Sequence, residues 1–204
     1  MKKLVLVLAL TVLPVSGALA QLMSQTSPAP DRDPNLISPE TGVDYNSLRD
    51  LLAEGKWRKA NETTFDLILK ASDREAAGWM TAESMEKFPC WDMGTIDKLW
   101  KQYSKGHFGF SVQFPIYIST GNQPGKVDVK AYQSFGDRVG WRKGGEWILF
   151  KDNLTYDLSS PKGHLPNPRY EYEIYGGRLE YTTLTKRAVD CNLPGFTLTE
   201  RSTN

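Results

Sequence analysis

The chain has 204 residues, 40% of them hydrophobic and 24% charged, which suits one globular domain with some chain left over rather than two domains. Its 25 basic and 24 acidic residues nearly cancel, and the basic ones are scattered instead of forming a stripe, so nucleic acid is excluded as the expected partner.

In chain order, Lys2 and Lys3 precede an apolar run from Leu4 to Val15, and Ala18-Leu19-Ala20 supplies the small-x-small pattern at which a signal peptidase cuts. Residues 1–20 therefore read as a signal peptide, with export to a periplasm, a thylakoid lumen or the extracellular space. The run is shorter than the ~20 residues that span a bilayer, so it allows no more than a weak membrane association. Residues 21–43 are rich in proline and poor in periodic apolar residues, and are expected to be a disordered linker. The ordered domain is expected over 44–195, with 196–204 a tail.

Asp44 is placed to start a helix carrying Tyr45, Leu48, Leu51 and Leu52 on one face and stopping at Gly55. Trp57, Ala60, Thr64, Leu67, Ile68 and Ala71 repeat the spacing, giving an antiparallel helical hairpin. The hairpin resembles a single tetratricopeptide unit, but no second copy follows it. Met80 to Phe88 reads as a short helix ended before Pro89, and Ile96, Leu99, Trp100 and Tyr103 mark another ended by Gly106. From Phe108 to Ile118 apolar residues alternate strictly, which by period alone predicts a strand, although Pro115 fits poorly in strand or helix. Beyond Asp128, short apolar stretches broken by Gly and Pro predict a compact, irregular half. Export would let Cys90 and Cys191 form a disulfide. Two half-buried small residues would satisfy the same sequence, because spacing does not show whether their Cα atoms approach within ~7 Å.

The stretches "YNSLRDLLAEGKWRKANETTFDLILKA", "FPCWDMGTIDKLWKQYSKGHFGFSVQ", "FGDRVGWR", "NLTYDLSSPKGHLP" and "CNL" occur in this order between Tyr45 and Leu193. In this the chain resembles the Genomes-Uncoupled-Four family, the tetrapyrrole-binding regulators of magnesium chelatase. The resemblance implies a mostly α fold, a compact irregular helical domain with long loops and a cupped apolar palm. It replaces the strand at Phe108–Ile118 with a helix entered near Ser111. It also implies porphyrin binding without catalysis, the ligand being protoporphyrin IX or its magnesium form, and makes 44–195 a tetrapyrrole-binding domain. An export signal separates this chain from magnesium chelatase, which works in the cytoplasm or plastid stroma, so contact with that enzyme is not expected to follow. The alternative is a ligand-free protein-interaction module on the same fold.

A porphyrin is a wide apolar disc with carboxylates along one edge, so its site needs rings against the face and fixed cations at the rim. Burying roughly 300 Å² of apolar ligand surface is worth about 7 kcal/mol gross, much of it offset by lost ligand freedom. "FGDRVGWR" offers both components: Phe135 and Trp141 as faces, Arg138 and Arg142 as forked donors at the rim. Phe110, Gln113 and Phe114 belong to or adjoin the "FGFSVQ" signature and are expected to line the palm. His164 and Leu165, in "GHLP", are further lining candidates, and Arg187 a further rim candidate. For each of these, core packing or a surface ion pair is the competing role. His107 and His164 are the only histidines, and neither is assigned as a metal ligand. The sequence contains no GxSxG elbow, HExxH, CxxC or phosphate-cradling glycine loop, so no enzyme class is expected. Asp92 and Asp97 flank a helix start, where capping accounts for Asp92 as well as acid–base work does. Asn61-Glu62-Thr63 and Asn153-Leu154-Thr155 spell glycosylation sequons.

Overall fold

A computed structural model describes residues 32–148, 154–167 and 178–197. The chain divides at Arg32/Asp33, and every element below lies in the unit that starts at Asp33. The expected signal peptide lies outside the described residues.

The expected linker ends earlier than the proline content suggests. Asp33 caps a 3-10 turn, Pro34–Leu36, by accepting from the Asn35 amide, and Ile37 bridges to Asp44. Asn46 closes this segment from both sides, accepting from the Asp33 amide at 2.9 Å and donating to its carbonyl at 3.0 Å. Residues 33–43 thus belong to the domain, because their backbone polar groups find partners that a solvated tether would leave to water.

The predicted hairpin forms: α1 spans Asn46–Ala53 and α2 spans Trp57–Ala71, joined through Gly55 at φ +68°. The capping position of α1 is Tyr45 rather than the expected Asp44, which lies one residue earlier and accepts from the Asn46 amide at 2.9 Å. Helix α3 covers Ala82–Glu86 behind a Thr81/Ser84 capping box. Helix α4, Cys90–Tyr103, runs through the core with Trp100 at its centre, donating its indole N–H to Thr64 Oγ1 at 2.9 Å. Trp57, Trp100 and Phe108 pack ring to ring around that bond.

The alternating stretch is a helix, α5, Phe110–Ser119, entered through Gly109 at φ +126°. Its residues 110–114 are all buried. A helix apolar all round carries no 3.6-residue stripe, which is why its alternation imitated a strand. It starts at Phe110, so Pro115 falls past the first turn. The proline costs the bond that Ser111's carbonyl would accept, and its ring faces solvent.

The later half holds α6 (Val129–Arg138), a two-stranded hairpin of β1 (Arg142–Lys143) and β2 (Glu146–Trp147), and α7 (Arg178–Asp190). Mostly helical architecture with little strand is the observed class. Two apolar clusters result. The larger joins α1–α5 with Leu165, Leu184 and Phe196, and the smaller gathers Tyr117, Tyr132, Phe135, Trp141, Leu154 and Tyr181. Phe196, expected to begin the tail, is 3% exposed and rests on Phe114 with ring centroids 4.8 Å apart, so the domain extends to it. Cys90 and Cys191 form a disulfide with Cα atoms 5.5 Å apart. The Asn61 sequon is shut: its carbonyl oxygen accepts from the Asn167 amide at 2.7 Å inside the core. Asn153 of the other sequon lies outside the described residues.

Candidate functional site

Seven of the ten residues expected to line or rim a ligand are interior. Phe110, Gln113, Phe135, Trp141 and Leu165 have no exposed surface, and Phe114 and His164 have 2%. A macrocycle cannot lie against a ring that other side chains already cover, so the expected face contacts of Trp141 and Phe135 are corrected to packing roles. Trp141 meets Phe135 and Tyr181 edge to face at 5.3 and 5.5 Å, and donates its indole N–H to the His164 carbonyl at 2.7 Å. Phe110, Phe114 and Leu165 sit in the larger core.

The polar members of this set serve one turn. His164 Nδ1 lies 2.6 Å from the Val139 carbonyl, the geometry of a donated N–H. Gln113 donates to the carbonyls of Gly163 and Pro166 at 2.9 and 2.8 Å, and accepts from the Tyr181 hydroxyl at 2.9 Å. Burial pushes the Tyr181 phenol far above its ordinary value, so it stays a neutral donor. Gln113, Trp141 and His164 therefore form a bracket that fixes residues 163–166 between α5, α6 and α7. His107 adds a strut, with Nε2 2.8 Å from the Ser160 carbonyl.

The three cations differ in availability. Arg142 is committed: it grips Asp137 with two bonds of 3.0 and 2.8 Å, reaches the Gly145 carbonyl, and lies 5.4 Å over the Trp147 ring with only 9% of its side chain exposed. Its expected rim role is corrected to holding the hairpin on α6. Arg187 donates from Nε to the Phe88 carbonyl at 2.8 Å, which ties α7 to the end of α3. Arg138 is exposed and donates to Ser119 Oγ at 3.1 Å. It is the one rim candidate of the three that faces solvent.

Sequence reasoning passed over the exposed indole of the α2–α3 loop. Trp79 is 51% exposed, the Arg74 guanidinium lies 5.0 Å from its ring centre, and Arg74 Nε donates to the Trp79 carbonyl at 3.2 Å. "REAAGWM" contains the same ingredients as "FGDRVGWR", an arginine and a tryptophan about a glycine, and composition does not tell which tryptophan is covered. A half-open ring backed by a fixed cation presents an apolar face and a forked donor together. A second such pair, Arg58 4.1 Å over the Tyr156 ring, lies beside exposed Leu158. Among the described residues no group of three His, Cys, Asp or Glu side chains is gathered to hold a metal ion.

A Ycf53-like protein of Synechocystis is 35% identical over 130 residues, covering 61% of this chain and 51% of the relative. The chloroplastic tetrapyrrole-binding protein of Arabidopsis thaliana is 29% identical over 138 residues, 62% of this chain and 49% of that protein. The chain thus spans about half the length of the curated relatives it matches. The solved structure of GUN4 from Chlamydomonas reinhardtii superposes with a TM-score of 0.59 at 26% identity, covering 79% of this chain and 95% of that one. The GUN4-like family pattern matches residues 38–173, and it begins inside the segment that Asn46 and Asp92 fasten to the helices. With fold and sequence in agreement over most of its length, the chain belongs to the GUN4-like family.

Proposed function

We propose that this protein binds a porphyrin-type tetrapyrrole without catalysing a reaction on it, as an exported carrier, sensor or regulator of tetrapyrrole metabolism. Membership of the GUN4-like family carries this reading, supported by the relative in Arabidopsis that is named for tetrapyrrole binding. Protoporphyrin IX and its magnesium form are the proposed ligands. The surface that supports it is the Trp79–Arg74 pair, an open apolar face beside a cation able to meet a ligand carboxylate. Export, read from residues 1–20, argues for a role apart from magnesium chelatase.

Titrating deuteroporphyrin into the protein beginning at Gln21 tests the reading. At micromolar ligand the Soret band is expected to shift and tryptophan emission to be quenched, whereas an unmoved band and full emission refute it. Trp79→Ala should weaken binding about tenfold, the order expected for loss of one aromatic contact of ~1–1.5 kcal/mol. A second reading, a protein-interaction module that has kept the fold and lost the ligand, is favoured by one observation: seven of the expected lining residues fill the interior. Recovery of a protein partner by a chain that ignores porphyrin would establish it.

A further inference from the structure

Two cavities of about 480 Å³ each open along α4. Both are lined by Gly94, Lys98, Gln102 and Leu193, so the two adjoin along this stretch of α4 and Leu193 forms part of the wall of each. Leu193 belongs to a strap, residues 192–196, that leaves α7 and crosses α4 and α5. Its Cδ2 lies 3.4 Å from where a Cβ on Gly94 would be, Gly195 comes so close to α5 that a Cβ there would stand 2.9 Å from the Ser111 Cβ, and Phe196 covers Phe114.

The strap's backbone bonds do not reach the helices it crosses. Cys191, Asn192 and Leu193 donate to the carbonyls of Arg187, Val189 and Ala188 in the last turns of α7, and Phe196 donates to Leu193 within the strap. Among the described residues, α4 and α5 hold the strap by apolar contact and by one covalent link, Cys90–Cys191, at the strap's root. Both cysteines are half-buried, which leaves the disulfide open to attack.

We infer that this disulfide is a redox clasp on the strap. A dithiol reductant attacks one sulfur as its thiolate, the S–S bond breaks to a mixed disulfide, and the reductant's second thiol displaces the protein. Two electrons and two protons pass to Cys90 and Cys191, which leave as thiols, and the reductant becomes a disulfide. The strap then loses its covalent root on α4, Leu193 withdraws from Gly94, the two cavities join into one trough along α4, and Phe114 is uncovered. Oxidation restores the clasp. This inference stands on the geometry of the strap and is independent of the tetrapyrrole reading.

Hydrogen–deuterium exchange of the mature protein, oxidised and treated with dithiothreitol, tests it. Reduction should speed exchange at Leu193 and Phe196 at least tenfold and raise the fluorescence of the apolar probe ANS, with exchange across 46–71 unchanged. The double variant Cys90→Ser, Cys191→Ser should match the reduced pattern without reductant. Strap exchange that ignores reduction overturns the clasp. So does a rise spread evenly over 46–71, since the disulfide would then stabilise the whole domain rather than the strap.

Discussion

Asp97 lies within α4 yet serves α5. Its Oδ1 accepts the Ser111 amide at 2.8 Å, so it caps a helix other than its own across the turn made by Gly109. Burial raises its carboxyl above the ordinary carboxylate range, outweighing the Ser111 bonds and the Lys101 charge that pull it down. A carboxyl so raised holds its proton more tightly in the folded state than in the unfolded chain. Its contribution is therefore greatest at low pH and is lost as pH climbs from the ordinary carboxylate value through the raised one. Asp97→Asn keeps an accepting oxygen and removes the titration. Urea midpoints taken from about pH 4 to pH 7 should show the wild type losing ground to the variant as pH rises, and a constant gap would refute this. Sequence alone places the residue type and its helix here, but the helix it caps arrives through a tertiary contact that no local pattern encodes. Asp92 makes the same point: it stands in the first turn of α4, where capping was expected, and instead accepts hydroxyls from another segment.

That segment leads the chain into the helices. Ser38, Thr41 and Tyr45 donate their hydroxyls to the buried Asp92 carboxyl at 2.8, 3.0 and 2.7 Å. Tyr45→Phe removes one donor from a site without water access and is expected to cost about 1–3 kcal/mol, read from the urea midpoint, while leaving α2 helical by circular dichroism. The hairpin α1–α2 was legible because each helix shows solvent one face and the core the other, so apolar spacing reports the period directly. Helix α5 is not legible by period, since its apolar residues are spread around the axis and leave no stripe, and only its likeness to a family gives its true state. The N-terminal boundary was misread for a related reason. Proline marks chain that cannot continue a helix, but it says nothing about whether side chains downstream will moor that chain to a core.

Over the whole molecule, the chemical type of the ten candidate residues is a fair guide to importance and a poor one to exposure. Phe135, Trp141 and Arg142 matter because they hold α6, the β-hairpin and the 163–166 turn together, as the rings and bonds around them show. Trp79, of the same type, is half open. Depth is a property of the assembled fold and is set by residues far away in sequence, so no window around either tryptophan contains it. Gln113→Leu tests the bracket at this scale. It keeps the volume and strands two carbonyls and a tyrosine hydroxyl, so a loss of about 2–4 kcal/mol is expected in thermal or urea unfolding. A change below 0.5 kcal/mol would mean the turn closes without it.

Because Gln113 anchors a turn and touches no solvent, "FGFSVQ" is a keystone rather than a reader of cargo. A change inside that string is felt first as a loosened fold, and only through the fold by anything the surface binds.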